Sequence, residues 1–163
     1  MIILSDFTTS IIKAFDEIDC HWREYSGLVI AGSHNPRDTE MMILKIREAR
    51  ESGIPFYGEC FGHQLACIDW AKIMMGIKDA TSEEFGKGTF VIVKLPELNV
   101  GFKNGESYWN NYGVLKYVED NYNLYKPPNM FSAQYHASYQ SSLGNPHPLI
   151  SNFLEYAKKA SIL

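Results

Sequence analysis

One thiol in this chain is placed to act as a nucleophile. In Gly58-Glu59-Cys60-Phe61-Gly62-His63-Gln64 the cysteine follows a short apolar run, Ile54-Pro55-Phe56-Tyr57, and precedes a segment that reads as an amphipathic helix. A nucleophile lodged between a strand and a helix must sit on a sharp turn. Small residues two before and two after it let the two backbones cross, so G-x-C-x-G is the thiol form of the nucleophile elbow. The helix that follows would aim its first N–H groups at the sulfur, lowering the thiol pKa and making the Phe61 amide an oxyanion donor.

A thiol nucleophile needs a base. His136, in Ser132-Ala133-Gln134-Tyr135-His136, lies just past a predicted strand. Strand ends are where parallel sheets hold their ligands. Taken alone it reads as an ordinary satisfied histidine; the strand end makes it the candidate. His21 and His34 sit near turns, and His147, between Pro146 and Pro148, suits a structural turn. A metal reading of Cys60, His63 and Cys67, at i, i+3 and i+7 on one helix, lacks an apparent fourth ligand. Cys67 reads instead as a small core residue. No metal and no cofactor are expected.

The elements that must position these groups are legible from apolar patterning. Ile2-Ile3-Leu4 suggests a first strand, and Thr8 to Ile18 a helix with Ile11, Ile12, Phe15 and Ile18 near helical spacing. Leu28 to Ala31 reads as a buried parallel strand between Gly27 and Gly32. A helix over Asp38 to Ser52 would be capped by Asp38 or Thr39 and closed by Gly53. A strand over Ile54 to Tyr57 and a helix from about His63 to Met75 flank the cysteine. Beyond Gly76 the pattern gives a strand over Thr89 to Leu95, a turn at Lys103-Asn104-Gly105-Glu106, a strand over Met130 to Tyr135 and a helix over Leu149 to Ala160. Strand, helix, strand, tight turn, helix implies an α/β three-layer sandwich with a mostly parallel central sheet.

Composition narrows the function classes. The 163 residues fit a single domain over 1–163, and 45% hydrophobic with 21% charged residues excludes disorder and coiled coil. No apolar run approaches the ~20 residues of a membrane span. The start of the chain lacks a basic region and an apolar core of signal-peptide length. A net charge of −4 without a long basic run does not suggest a nucleic-acid or anionic-membrane surface. Three cysteines and no export signal point to a reducing cytoplasm and free thiols.

Three blocks resemble the class I (triad) glutamine amidotransferases: Gly27 to Ser33, Ile54 to Leu65, and Gln134-Tyr135-His136. The stretch Ala71 to Phe85 is similar to the glutaminase domain of CTP synthase and to its small stand-alone relatives, and Asn145 to Ile150 fits that branch. The resemblance implies the amidotransferase-like (flavodoxin-like) fold. It implies that Cys60 attacks the side-chain amide of glutamine. The Phe61 N–H and one from the Gly32-Ser33 turn would hold the oxyanion. His136 would protonate the departing ammonia and then activate water. Gln64 and Glu84 match substrate-binding positions, Glu84 through the α-ammonium group.

The departures from that pattern are as informative. Where the family follows its histidine with Pro-Glu, this chain has Ala137 and Ser138. Ser138 is expected to accept the ring N–H bond without supplying a charge. Where an arginine precedes a tyrosine to bind the α-carboxylate, this chain has Asn111 before Tyr112, and no cation. Glu59 replaces the usual apolar residue before the nucleophile; buried, it needs a partner or serves in place of the lost acid. The expected activity is therefore a cysteine amidase acting on a small molecule, glutamine or a related γ-glutamyl amide. No G-x-x-x-x-G-K-[ST] motif is present, so ammonia-accepting chemistry is expected in a separate ATP-dependent synthetase subunit. The alternative is a catalytically degenerate amidotransferase-like domain that binds or regulates.

Overall fold

Short apolar runs form the centre of the molecule. In the computed structural model, which describes residues 1–33 and 35–162, strand β1 (Ile2–Leu4) leads to helix α1 (Thr9–Ile18), β2 (Leu28–Ile30) and α2 (Thr39–Ser52). Then follow β3 (Phe56–Glu59), α3 (Phe61–Ile73), β4 (Ala80–Ser82) and β5 (Thr89–Lys103). The chain ends with β6 (Glu106–Val114), α4 (Lys116–Tyr125), β7 (Met130–Ala133) and α5 (Pro148–Ala160). His34, read from sequence as lying near a turn, is outside the described residues.

Strands β1, β2, β3 and β7 pair in that order, all parallel. Successive side chains leave opposite faces of a strand. Leu28, Ile30, Phe56 and Met130 accordingly enter one core with α2, α3 and α4, while Val29, Ala31 and Tyr57 enter another with α1 and α5. This is the three-layer α/β sandwich expected from the sequence. Among the described residues no helix is long and apolar enough to cross a membrane.

Four details differ from the sequence reading. The helix after Cys60 is buried on all sides, from Phe61 through Ala71, rather than amphipathic. It lies between α2, α4 and the second sheet. Its one buried carboxylate, Asp69, is matched by the Nε atoms of Arg47 and Arg50 at 2.8 and 3.0 Å. Asp38 occupies the N-cap of α2 but makes no side-chain capping bond, because its backbone is left-handed (φ 54°). β3 starts at Phe56, after Pro55, and α3 starts immediately after Cys60.

The largest difference is the second sheet, β4-β5-β6. The strand expected to stop near Leu95 continues to Lys103, and the predicted turn reverses it into β6. Asn104 and Gly105 (φ 51° and 84°) supply the two left-handed residues that a two-residue hairpin turn needs. This arm has few buried residues, so no apolar alternation announced it. The same holds for α4, where Val118 and Tyr122 are buried.

Candidate active site

The site sits beyond the carboxyl ends of β2, β3 and β7, under the β5–β6 arm. Cys60 joins β3 to α3 in a conformation that few non-glycine residues adopt (φ 52°, ψ −100°). Such a backbone costs on the order of 1–3 kcal/mol and persists only where its surroundings hold it. Here the two glycines do so. A Cβ on Gly62 would lie 2.0 Å from the Ile30 carbonyl oxygen, and one on Gly58 would lie 2.9 Å from the Gly62 carbonyl carbon. The G-x-C-x-G spacing is thus a steric requirement of the strand–helix crossing.

Around the sulfur is a cavity of about 100 Å³. Cys60, Phe61, Gly32, Gln64, Glu84, Asn111, Tyr112 and His136 all border it. Of the residues singled out in the sequence for this site, Ser138 and Glu59 lie away from this lining, both buried. The Phe61 N–H adjoins the Cys60 sulfur and acts to lower its pKa, and Gln134 Nε2 approaches it at 3.5 Å. Gln64 donates from its amide nitrogen to the Tyr112 carbonyl (2.9 Å) and to Gln134 Oε1 (3.2 Å). Tyr112 therefore helps the site through its backbone. Gly32 accepts from the Phe7 N–H at 3.3 Å, and a Cβ placed on it would touch the His136 ring at 3.4 Å.

His136 and Cys60 share a neighbour. The Trp109 carbonyl oxygen lies 3.8 Å from Cys60 Sγ and 3.4 Å from His136 Nε2. Tyr139 stacks on the imidazole, with ring centroids 4.6 Å apart and planes at 7°. The Ser138 hydroxyl, expected to accept from the imidazole, donates instead to Glu59 Oε2 at 2.9 Å. Sequence reading gave Gln134, Tyr139 and Trp109 no role. Tyr139, three residues after the histidine, carried a readable signal; Trp109 acts through its backbone and carried none.

The thiol differs from its expected state. Burial pushes the Cys60 thiol up to about 12, and the Glu59 and Glu84 carboxylates add to this against the opposing Phe61 N–H and Gln134 amide. Donors at the helix start are outweighed because the sulfur is desolvated and two carboxylates lie nearby. Burial also raises the Glu84 carboxyl. Alkylation of Cys60 by iodoacetamide is accordingly expected to accelerate about tenfold per pH unit between 7 and 11. Mass spectrometry can follow it, with the exposed Cys20 as internal reference; a plateau below pH 8.5 would contradict the raised thiol.

His147 and His63 lie away from the sulfur. His147 caps α5 by accepting the Leu149 N–H at 3.1 Å and lies 3.1 Å from Glu106 Oε2. His63 is buried between Ser132 Oγ at 3.0 Å and Glu119 Oε1 at 3.2 Å, with Cys67 Sγ 3.7 Å from its Nε2. Among the described residues no three His, Cys, Asp or Glu side chains gather as a metal-binding group.

Comparison with known proteins places this geometry in a family. The sequence profile of "Glutamine amidotransferase class-I" matches residues 5–123. CTP synthase of Methanoregula boonei is 50% identical over 78 residues, covering 48% of this chain and 15% of that protein. CTP synthase of Methanoculleus marisnigri is 30% identical over an alignment of 182 residues, covering 83% of this chain and 34% of the relative. The chain thus spans only about a third of the length of these relatives at most. Among solved structures, the glutaminase domain of Trypanosoma brucei CTPS with bound acivicin superposes with a TM-score of 0.76 at 16% identity, over 98% of this chain and 94% of that one. That likeness carries the fold, and the profile match carries the family although it ends before His136. An α/β sandwich with a thiol elbow at the end of its third strand, matched by that profile over most of its length, belongs to the class I glutamine amidotransferases.

Proposed function

We propose that this chain is a cysteine-dependent amidase that hydrolyses the side-chain amide of glutamine or a related γ-glutamyl amide through a thioester. The observation that carries the reading is the convergence of Cys60, His136, Gln64 and the Phe61 amide on one small cavity. Because the thiol is high in the free protein, its proton leaves only as sulfur attacks. His136 takes that proton while Cys60 Sγ bonds to the amide carbon. The Phe61 N–H and an amide of the Gly32-Ser33 turn receive the resulting oxyanion. Phe7 supports this, since its bond to the Gly32 carbonyl turns the Ser33 N–H of that trans peptide the other way.

The tetrahedral intermediate collapses as the C–N bond breaks and His136 returns its proton to the leaving nitrogen, releasing ammonia. Water then loses a proton to His136 and attacks the thioester carbon; the C–S bond breaks, and the thiol and a carboxylic acid product form. The relatives are CTP synthases, which supports a hand-over of ammonia to a separate ATP-dependent synthetase.

Charge favours a particular substrate. The described cavity lining carries the Glu84 carboxylate but no lysine or arginine. A substrate with an α-ammonium group and a blocked α-carboxyl suits it better than free glutamine. Ammonia release from glutamine α-amide is expected to exceed that from glutamine by about tenfold or more in kcat/KM, the equivalent of one unfavourable charge contact. Equal or better turnover of glutamine would refute this specificity. Absence of release from every ω-amide, with no hydroxamate trapped by hydroxylamine, would refute the amidase and favour the binding or regulatory module.

A further inference from the structure

The geometry assigns Glu59, the residue before the nucleophile, as the carboxylate that positions His136 and balances its charge, an inference resting on the amidase reading. Alternation along β3 puts Tyr57 and Glu59 on one face, toward α1 and α5, while Gly58 faces α3. The Glu59 side chain is only 1% exposed. Its Oε1 accepts from the Tyr57 hydroxyl and the Ser138 N–H, each at 2.6 Å. Its Oε2 accepts from the Ser138 hydroxyl at 2.9 Å and faces His136 Nδ1 at 3.8 Å. A backbone N–H and two hydroxyls converging on one carboxyl make a receptor for its charged form. Nothing in such a set is needed for a side chain that merely fills space.

The imidazole is thereby strung between two partners. Nδ1 looks back to Glu59, and Nε2 looks forward to the Trp109 carbonyl and the cavity. An orienting acid behind the ring, with the opposite nitrogen toward the nucleophile, is the arrangement that fixes a tautomer and supports the imidazolium formed during attack. Ser138 also explains why the acid can come from an unusual place. Its hydroxyl is 2.9 Å from Glu59 Oε2, so a carboxylate carried by residue 138 and one carried by residue 59 reach nearly the same point. Ser10 Oγ, 2.9 Å from Ser138 Oγ, ties α1 into the network. Burial raises the Glu59 carboxyl, and the three donors offset part of this. The other titratable groups that sense Glu59 are Tyr57, Cys60, Tyr135 and Tyr139.

The test is NMR titration of the His136 ring in the full chain, with amide-hydrolysis kinetics alongside. Glu59→Gln is expected to lower the His136 midpoint by about one pH unit or more, because an anionic neighbour is lost. It should also lower kcat/KM about 100-fold, mainly through kcat. Adding Ser138→Glu to Glu59→Gln is expected to restore the midpoint and at least tenfold of the rate. Tyr57→Phe, which removes one donor to Glu59, should lower the midpoint by a smaller amount and serves if Glu59→Gln does not fold. An unchanged His136 midpoint in the variant that folds overturns the assignment. A shifted midpoint in a protein that hydrolyses no amide upholds the pairing and overturns only the reaction.

Discussion

Cys60→Ala is expected to reduce amide hydrolysis by about 10⁴- to 10⁶-fold in kcat, to the level of contaminating activity. No other described group on the cavity wall replaces the sulfur. Ser33 and Tyr139 border the same space, but a neutral hydroxyl is a far weaker nucleophile than a thiol. Without a thioester the remaining donors can only polarise the amide, and water would have to attack unaided. The fold should survive, because Cys60 is half-buried and the hydrogen-bond partners of its sulfur, the Trp109 carbonyl and the Gln134 amide, are long contacts at 3.8 and 3.5 Å. A thermal midpoint within about 3 °C of the parent, a fraction of a mutation's usual effect, would certify that. Ammonia release measured on both proteins, prepared side by side, checks the prediction. Retention of more than about 1% of the activity would mean that the thiol is not the nucleophile.

The second large effect is on the elbow itself. Gly62→Ala is expected to destabilise the protein by about 3 kcal/mol, because overpacking against backbone cannot be relieved by a rotamer change. The added methyl would lie 2.0 Å from the Ile30 carbonyl oxygen and 3.1 Å from the Ile30 Cβ. Strand β2 and helix α3 would have to separate, lifting the Phe61 N–H from the sulfur. Activity should fall with stability. Gly53→Ala isolates the contribution of conformation alone: Gly53 is left-handed (φ 76°) but a Cβ there meets nothing within 4 Å, so about 1 kcal/mol is expected. Differential scanning calorimetry of both variants decides it. For a chain of this size the shifts should be about 6–12 °C and about 2–4 °C. Equal shifts would show that crowding at the crossing does not control the elbow.

How much of this was readable beforehand follows the range of each interaction. Apolar runs at Leu28 to Ile30 and Phe56 to Tyr57 gave the buried strands, since a parallel strand covered on both faces has no polar side to hide. The glycines beside Cys60 were readable because they answer a local steric demand. The β5–β6 arm was not, because its outer half is exposed and held by main-chain pairing that leaves no trace in side-chain pattern. The thiol's state was misread for a related reason. A helix start promises donors, whereas what outweighs them is the burial of the sulfur and, second, the charge of the carboxylates brought alongside.

The sequence alone determined the strand–turn–helix that presents Cys60 and the apolar segments that become parallel strands, because these depend on spacing within a few turns of chain. Only the tertiary structure decided that Glu59 stands behind His136 and meets Ser138 from 79 positions away. It also brought the Trp109 carbonyl to both Cys60 Sγ and His136 Nε2. Contacts of that length are made by packing two covered faces of one sheet, and packing, through burial, sets where the protons rest.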